Sequence, residues 1–211
     1  MKRLLTILLV VAMATPAFSQ FETHRQRSRY RHNHTEHYYG LRLGLNIASV
    51  SSDVVESDLS SRTGLAFGGV FGLQLANATP VWLEAGLFYS EKGGETTFNN
   101  EKTTCRMTYL QLPIVCKYSI SVYDDLFIQP FLGGYFALGL GGRTKEFANR
   151  EAYDTFDRVN RFDGGLRLGC GAEYKMVYAE LGFDLGLANI SKGDFESART
   201  RCFFINVGVN F

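Results

Sequence analysis

From Tyr38 to the last residue the chain repeats one pattern eight times, a stretch in which every second residue is apolar and uncharged. A β-strand turns successive side chains to opposite faces, so each stretch divides into two phases. The apolar phase reads Tyr39, Leu41, Leu43, Leu45, Ile47 in the first stretch and Leu65, Phe67, Phe71, Leu73, Leu75 in the second. Taken at every second residue, it continues through 81–89, 110–118, 128–140, 162–174, 177–187 and 203–211. None of these positions carries a charge.

The other phase decides the architecture. It holds Arg42, Glu84, Lys117, Asp163, Arg167, Glu173, Glu180 and Asp184, many glycines, and the aromatics Trp82, Phe88, Tyr109, Phe131, Tyr135 and Tyr178. In a water-soluble sandwich the polar phase faces solvent and is built from Lys, Glu and Thr rather than from Gly beside Trp and Tyr. Glycines leave room for large neighbours, and charges of both signs pair in a narrow lumen. This phase therefore lines the inside of a small barrel, and the oily phase meets lipid. Composition agrees, since Gly 22 with Phe 17 and Tyr 11 in 211 residues suits a helical bundle poorly. The expected fold class is all-β, an eight-stranded antiparallel up-and-down transmembrane β-barrel over residues 38–211. Strands of about ten residues suit a tilted crossing, and ring closure leaves no unpaired edge in hydrocarbon.

The connections alternate in length as such barrels require. Ala76–Pro80, Ser119–Asp125 and Lys175–Met176 are short and belong to the periplasmic side. Val50–Arg62, Glu91–Arg106, Gly141–Asn160 and Asn189–Arg201 are longer, polar and expected to be extracellular loops. Pro113 and Pro130 fall inside strands, where a missing N–H predicts a bulge or irregularity at each.

Residues 1–19 read as a signal peptide: Lys2 and Arg3, an apolar run from Leu4 to Ala14 too short to span a bilayer, then Ala17-Phe18-Ser19 before Gln20. Without Lys2 and Arg3 the chain carries 20 basic and 21 acidic residues, which gives no reason to expect nucleic acid as a partner. Residues 20–37 form a polar segment with Arg25, Arg27, Arg29 and Arg31 and no strand or helix period. All four histidines, His24, His32, His34 and His37, fall there. Their spacing permits weak metal chelation, but nothing supplies a rigid outer shell of partners, and no metal is assigned.

Three further runs carry a resemblance: 84–93 (EAGLFYSEKG), 109–114 (YLQLPI) and 162–166 (FDGGL), followed by Gly186-Leu187-Ala188-Asn189-Ile190 and a final strand ending on the aromatic Phe211. From about Tyr38 to Phe211 the chain resembles the outer-membrane β-barrel family of Bacteroidetes labelled porin-family or PorT-like. The resemblance implies an outer-membrane location and Phe211 as the signal read by the barrel-assembly machinery. It also implies outer-membrane lipid and lipopolysaccharide as surroundings, and a role as an accessory of protein secretion with an envelope partner.

Chemistry is sparse. Barrel enzymes that use His have no counterpart between residues 38 and 211, and the acids Asp163, Glu180 and Asp184 have Arg42, Lys117 and Arg167 to pair with. No catalytic or cofactor-binding residue is assigned. Cys116 and Cys170 lie in the lipid-facing phase, while Cys105 and Cys202 sit at the outer ends of the fourth and eighth strands. An exported chain permits a disulfide between the latter two, but those strands face each other across the ring, so only flexible loops bring the Cα atoms within about 6 Å. Three functions stand side by side: a non-catalytic anchor or accessory with partner-binding loops, a small diffusion porin, and an enzyme on lipid or peptide. A full eight-stranded interior and the absence of barrel histidines favour the first.

Overall fold

The computed structural model describes residues 37–52, 60–75, 79–98, 101–123, 125–146, 151–157, 160–189 and 198–211. The expected signal peptide and most of the His- and Arg-rich segment lie outside the described residues. The described chain begins at His37, already within a strand. Ten strands follow: β1 (His37–Ser52), β2 (Ser60–Gln74), β3 (Val81–Phe98), β4 (Glu101–Tyr118), β5 (Ile120–Tyr123), β6 (Leu126–Glu146), β7 (Glu151–Asp154), β8 (Phe162–Tyr174), β9 (Val177–Gly186) and β10 (Ala198–Asn210). A 3-10 turn, Thr155–Asp157, follows β7.

Eight of these strands form the ring. The order runs β4-β3-β2-β1-β10-β9-β8-β6, and a β4–β6 ladder closes it. Every pairing is antiparallel. Following directly opposed residues once round, Tyr38 leads through Gly72, Glu84, Val115, Gly133, Arg167, Asp184 and Cys202 back to Ala48, ten residues further along β1. That stagger tilts the strands by roughly 40° and fixes which inward side chains meet. Closure comes at the termini of the described chain, where the Phe211 N–H donates to the Tyr39 carbonyl (2.7 Å) and the Tyr39 N–H to that of Phe211 (3.1 Å).

The two phases separate as the alternation requires. Leu41, Leu132 and Leu187 on the outer wall are 60%, 61% and 59% exposed, whereas all eight charged residues of the other phase are buried. A wall of contiguous exposed Leu, Ile, Val and Phe is far larger than the apolar patches a soluble monomer carries, and suits hydrocarbon. Aromatic side chains mark both edges of the band: Tyr39, Tyr118, Tyr123 and Tyr174 at the short-turn end, and at the other end the pairs Phe67–Tyr89 and Phe183–Phe203, each with ring centroids 4.9 Å apart.

Several expectations about connections change. Within Glu91–Arg106 the strands β3 and β4 stay paired, their ladder running from Glu91 opposite Thr108 to Phe98 opposite Glu101. β6 likewise extends to Glu146 and pairs with β7, so Gly141–Asn160 is largely structured. β1 and β2 also extend into the Val50–Arg62 segment, and β10 begins at Ala198, inside Asn189–Arg201. Polar residues such as Thr, Glu and Lys interrupt the hydrophobic alternation above the bilayer, yet the ladder hydrogen bonds continue there. Ser119–Asp125 contains the short strand β5. In the Lys175–Met176 turn, Lys175 takes a positive φ of 55°.

The two prolines disturb the ladders without adding a residue. Between β3 and β4 the pairs skip from Ala85–Ile114 to Phe88–Gln111 in unchanged register, leaving a gap at Pro113. On the β4 side of β6 the ladder stops at Lys117–Phe131 and resumes through β5 at Ile120–Ile128, leaving Pro130 in the break. A ladder gap accommodates the missing donor as a bulge would. Register shifts occur elsewhere, between Ser61 and Ala66, between Thr108 and Tyr109, and between Ser121 and Tyr123.

Candidate functional site

Among the described residues, chemistry is concentrated in the lumen. Its strands place inward residues in tiers, and the stagger of the ring brings opposite charges from distant strands together. Arg42 on β1 lies 3.7 Å from Glu84 on β3 (Nη2 to Oε2). Glu84 accepts a hydrogen bond from Lys117 Nζ on β4 at 2.8 Å and another from the Tyr38 hydroxyl. Lys117 is 3.9 Å from Glu180 on β9, and Glu180 is 3.6 Å from Arg167 on β8. Arg167 contacts Asp184 at 3.2 Å, Asp184 lies 3.8 Å from Lys92, and Lys92 is 3.8 Å from Asp163. The result is one strictly alternating chain along the lumen, Arg42, Glu84, Lys117, Glu180, Arg167, Asp184, Lys92, Asp163.

Neutral donors complete it. Asn206 donates to Glu180 (2.7 Å), Gln111 to Asp184 (2.7 Å) and the Thr200 hydroxyl to Asp163 (2.8 Å). Glu173 stands beside the chain and accepts from Asn210 (2.8 Å) and Gln129 (3.2 Å). Aromatic faces cover the cations: Arg42 lies 4.0 Å from the Tyr178 ring centroid, Arg167 lies 3.7 Å from that of Phe204 and Lys92 lies 4.3 Å from that of Tyr135. Burying unpaired charge in a low-dielectric interior is very costly, so such groups persist only with opposite charges and donors around them.

Above this chain the barrel mouth is corked from within. The turn after β7 folds inward, burying Thr155 and Phe156, and Phe156 packs with Met107, Tyr109, Tyr135 and Ala137. Its ring meets that of Tyr109 edge-on at 5.9 Å. Gly139 and Gly142 form the socket: a Cβ at the first would overlap the Phe156 ring, and one at the second would come within 2.8 Å of the Thr155 Cβ. Among the described residues the interior therefore holds side chains from end to end.

All eight charged residues read from the sequence reach the lumen, seven as links of the alternating chain. Lys92 was missed. It shares the phase of Glu84, Phe88 and Ser90, so continuing the third strand by one step past Ser90 would have found it. The amides Asn206, Asn210, Gln111 and Gln129 were passed over because a neutral polar residue in an alternating stretch does not reveal whether it meets water or a buried acid. Phe211 sits at the ring closure. Cys105 and Cys202 are both thiols; Cys105 lies against the Thr155 hydroxyl (3.9 Å) and Cys202 donates to the Phe203 carbonyl (3.6 Å).

The family model described as outer membrane protein beta-barrel domain matches residues 18–192, most of the chain. The chain belongs to that family. No curated protein sequence matches it. Among solved structures, the outer membrane protein OprG from Pseudomonas aeruginosa is similar at 11% identity over 85% of this chain and 98% of its own, with a TM-score of 0.50. Neisserial surface protein A matches at 15% identity over 82% and 97%, with a TM-score of 0.49. Ail, the attachment invasion locus protein of Yersinia pestis, matches at 11% over 83% and 99%, with a TM-score of 0.47. At these identities the likeness speaks to the fold. The protein is an eight-stranded barrel of the bacterial outer membrane.

Proposed function

We propose that this barrel is a closed, non-catalytic anchor of the outer membrane whose extracellular connections bind an envelope or secretion partner. The observation that carries the reading is the filled lumen. The alternating ion chain occupies its length, and Phe156 seats in a glycine socket at the outer mouth. An eight-stranded barrel has an interior only just wide enough for its own side chains, and water-filled channels belong to much larger rings. A non-catalytic role is supported by the carboxylates of the chain being held in ion pairs and by the absence of histidine after His37. An accessory role in secretion is supported by the resemblance to the PorT-like family, and the extracellular hairpins of β3–β4 and β6–β7 supply surface for it.

The test is electrical. Purified protein in planar lipid bilayers should give no steady ohmic step at moderate voltage. A reproducible single-channel conductance would overturn the closed reading in favour of a diffusion porin.

A further inference from the structure

Lys92 on β3 is the link of the lumen chain whose needs are least met. Its side chain is 1% exposed, yet its Nζ forms no hydrogen bond among the described residues. Asp163 Oδ2 on β8 and Asp184 Oδ2 on β9, both buried, stand at the same distance from it, 3.8 Å. The Tyr135 ring centroid lies 4.3 Å from Nζ. Met107, directly opposed to Lys92 across the β3–β4 ladder, belongs to the cluster under the Phe156 cork. A buried ammonium with three unmatched N–H groups is expensive. Desolvation disfavours both charged forms of such a pair, and the neutral alternative is an amine held against a carboxyl group, a nucleophile against an electrophile.

The two acids are not equivalent. Asp184 is committed to other partners, Arg167 at 3.2 Å and the Gln111 amide at 2.7 Å. Asp163 instead accepts from neutral hydroxyls, Thr200 at 2.8 Å and Tyr135 at 3.4 Å, both on Oδ2. Hydroxyl donors there polarise the carboxyl group and meet the negative charge that grows on oxygen when Cγ is attacked. Arg42, Lys117 and Arg167 balance Glu84, Glu180 and Asp184 without either member of the Lys92–Asp163 pair. Loss of that pair therefore leaves the rest of the alternating chain neutral.

We propose that Lys92 and Asp163 condense into an intramolecular isopeptide bond, which staples β3 to β8 across the lumen. One proton passes from the ammonium to Asp163, and the amine attacks Cγ. Asp184 then takes a second proton from the nitrogen and hands it to the departing hydroxyl. One C–N bond forms, one C–O bond breaks and one water leaves, with no oxidant or reductant involved. The pair reacts once per chain, so a rarely populated neutral pair suffices where effective molarities of held groups reach on the order of 10⁵ M. The remaining amide N–H still faces Asp184, and the bond is independent of what the extracellular connections bind.

The experiment digests barrel purified from outer membranes with trypsin and reads the peptides by tandem mass spectrometry. Most of the chain should yield a branched product joining residues 63–102, uncut at Lys92, to residues 162–167, lighter than the two together by one water. Lys92→Arg should restore that water to the intact mass. In boiled gels the unmodified protein should run ahead of Lys92→Arg, because a closed loop compacts the denatured chain. Asp184→Asn should lower the branched fraction. Unboiled gels report whether the variants are folded, and if neither is, the branched peptide of the unmodified protein still decides. Ordinary cleavage after Lys92 with no branched peptide would overturn the proposal and leave Lys92 in an ion pair. So would a loss of water that survives in Lys92→Arg, which would assign it to ring closure at Asp163-Gly164. An unchanged branched fraction in folded Asp184→Asn would refute the proton relay.

Discussion

Replacing Arg167 by Met removes the central cation of the lumen chain while keeping an apolar body of similar length. Arg167 touches Asp184 at 3.2 Å and Glu180 at 3.6 Å, and its guanidinium stacks 3.7 Å from the Phe204 ring centroid. Removing one partner of a buried pair costs about 3–5 kcal/mol because the remaining charge is left without compensation. Here neither acid is wholly stranded: Glu180 keeps Lys117 and Asn206, and Asp184 keeps Lys92 and Gln111. The expected cost is therefore at the lower end, about 3 kcal/mol. With a urea dependence of about 3 kcal/mol per molar, the unfolding midpoint falls by roughly 1 M. Trp82, the single tryptophan, reports unfolding in micelles by fluorescence, and an unboiled gel reports the folded fraction. Adding Asp184→Asn removes one of the surplus negative charges, so the double variant should recover about 1 kcal/mol relative to Arg167→Met alone. A midpoint shift under about 0.3 M, or strictly additive costs in the double variant, would mean that water rather than neighbouring charge solvates these groups, and the packed-lumen argument would fail.

Two other perturbations probe the cork and the closing strand. Gly139→Ala drives a methyl group into the Phe156 ring and should cost about 1–3 kcal/mol in the same urea assay. In a Phe156→Ala background the same change should cost much less, and equal costs in both backgrounds would show that the socket is not the constraint. Removing Phe211 deletes the two backbone hydrogen bonds to Tyr39 at the seam of the ring, so the rate at which the heat-modifiable band forms in cells should drop. Once formed, that band should keep its mobility, and an unchanged rate would contradict an assembly role for this residue.

The membrane-crossing parts were legible because a strand with lipid on one side and packed side chains on the other leaves a two-residue period. That period placed Leu43, Leu112, Leu181 and Val207 outward and Glu84, Lys117 and Asp184 inward without further information. Strand ends were not legible, since above the bilayer Thr96, Thr103 and Lys145 extend the ladders with no hydrophobic contrast to mark them. Lys92 was lost for that reason. The partners of each charge were hidden as well, because they depend on the ten-residue stagger, a property of the closed ring rather than of any one strand. The inward fold of Thr155 and Phe156 is likewise tertiary: its local signal, two glycines in β6, is indistinguishable from glycines that make room for lumen aromatics.

Neighbouring residues on one strand test the inside-out assignment most directly. In a Trp82→Phe background, a single tryptophan is placed at Leu132, 61% exposed on the outer wall, or at Phe131, 5% exposed in the lumen. The protein is then reconstituted in bilayers of phosphatidylcholine brominated along its acyl chains. The fold described predicts strong quenching for Leu132→Trp and little for Phe131→Trp. Quenching at position 131 with protection at 132 would turn the glycine-and-charge face toward lipid and contradict it.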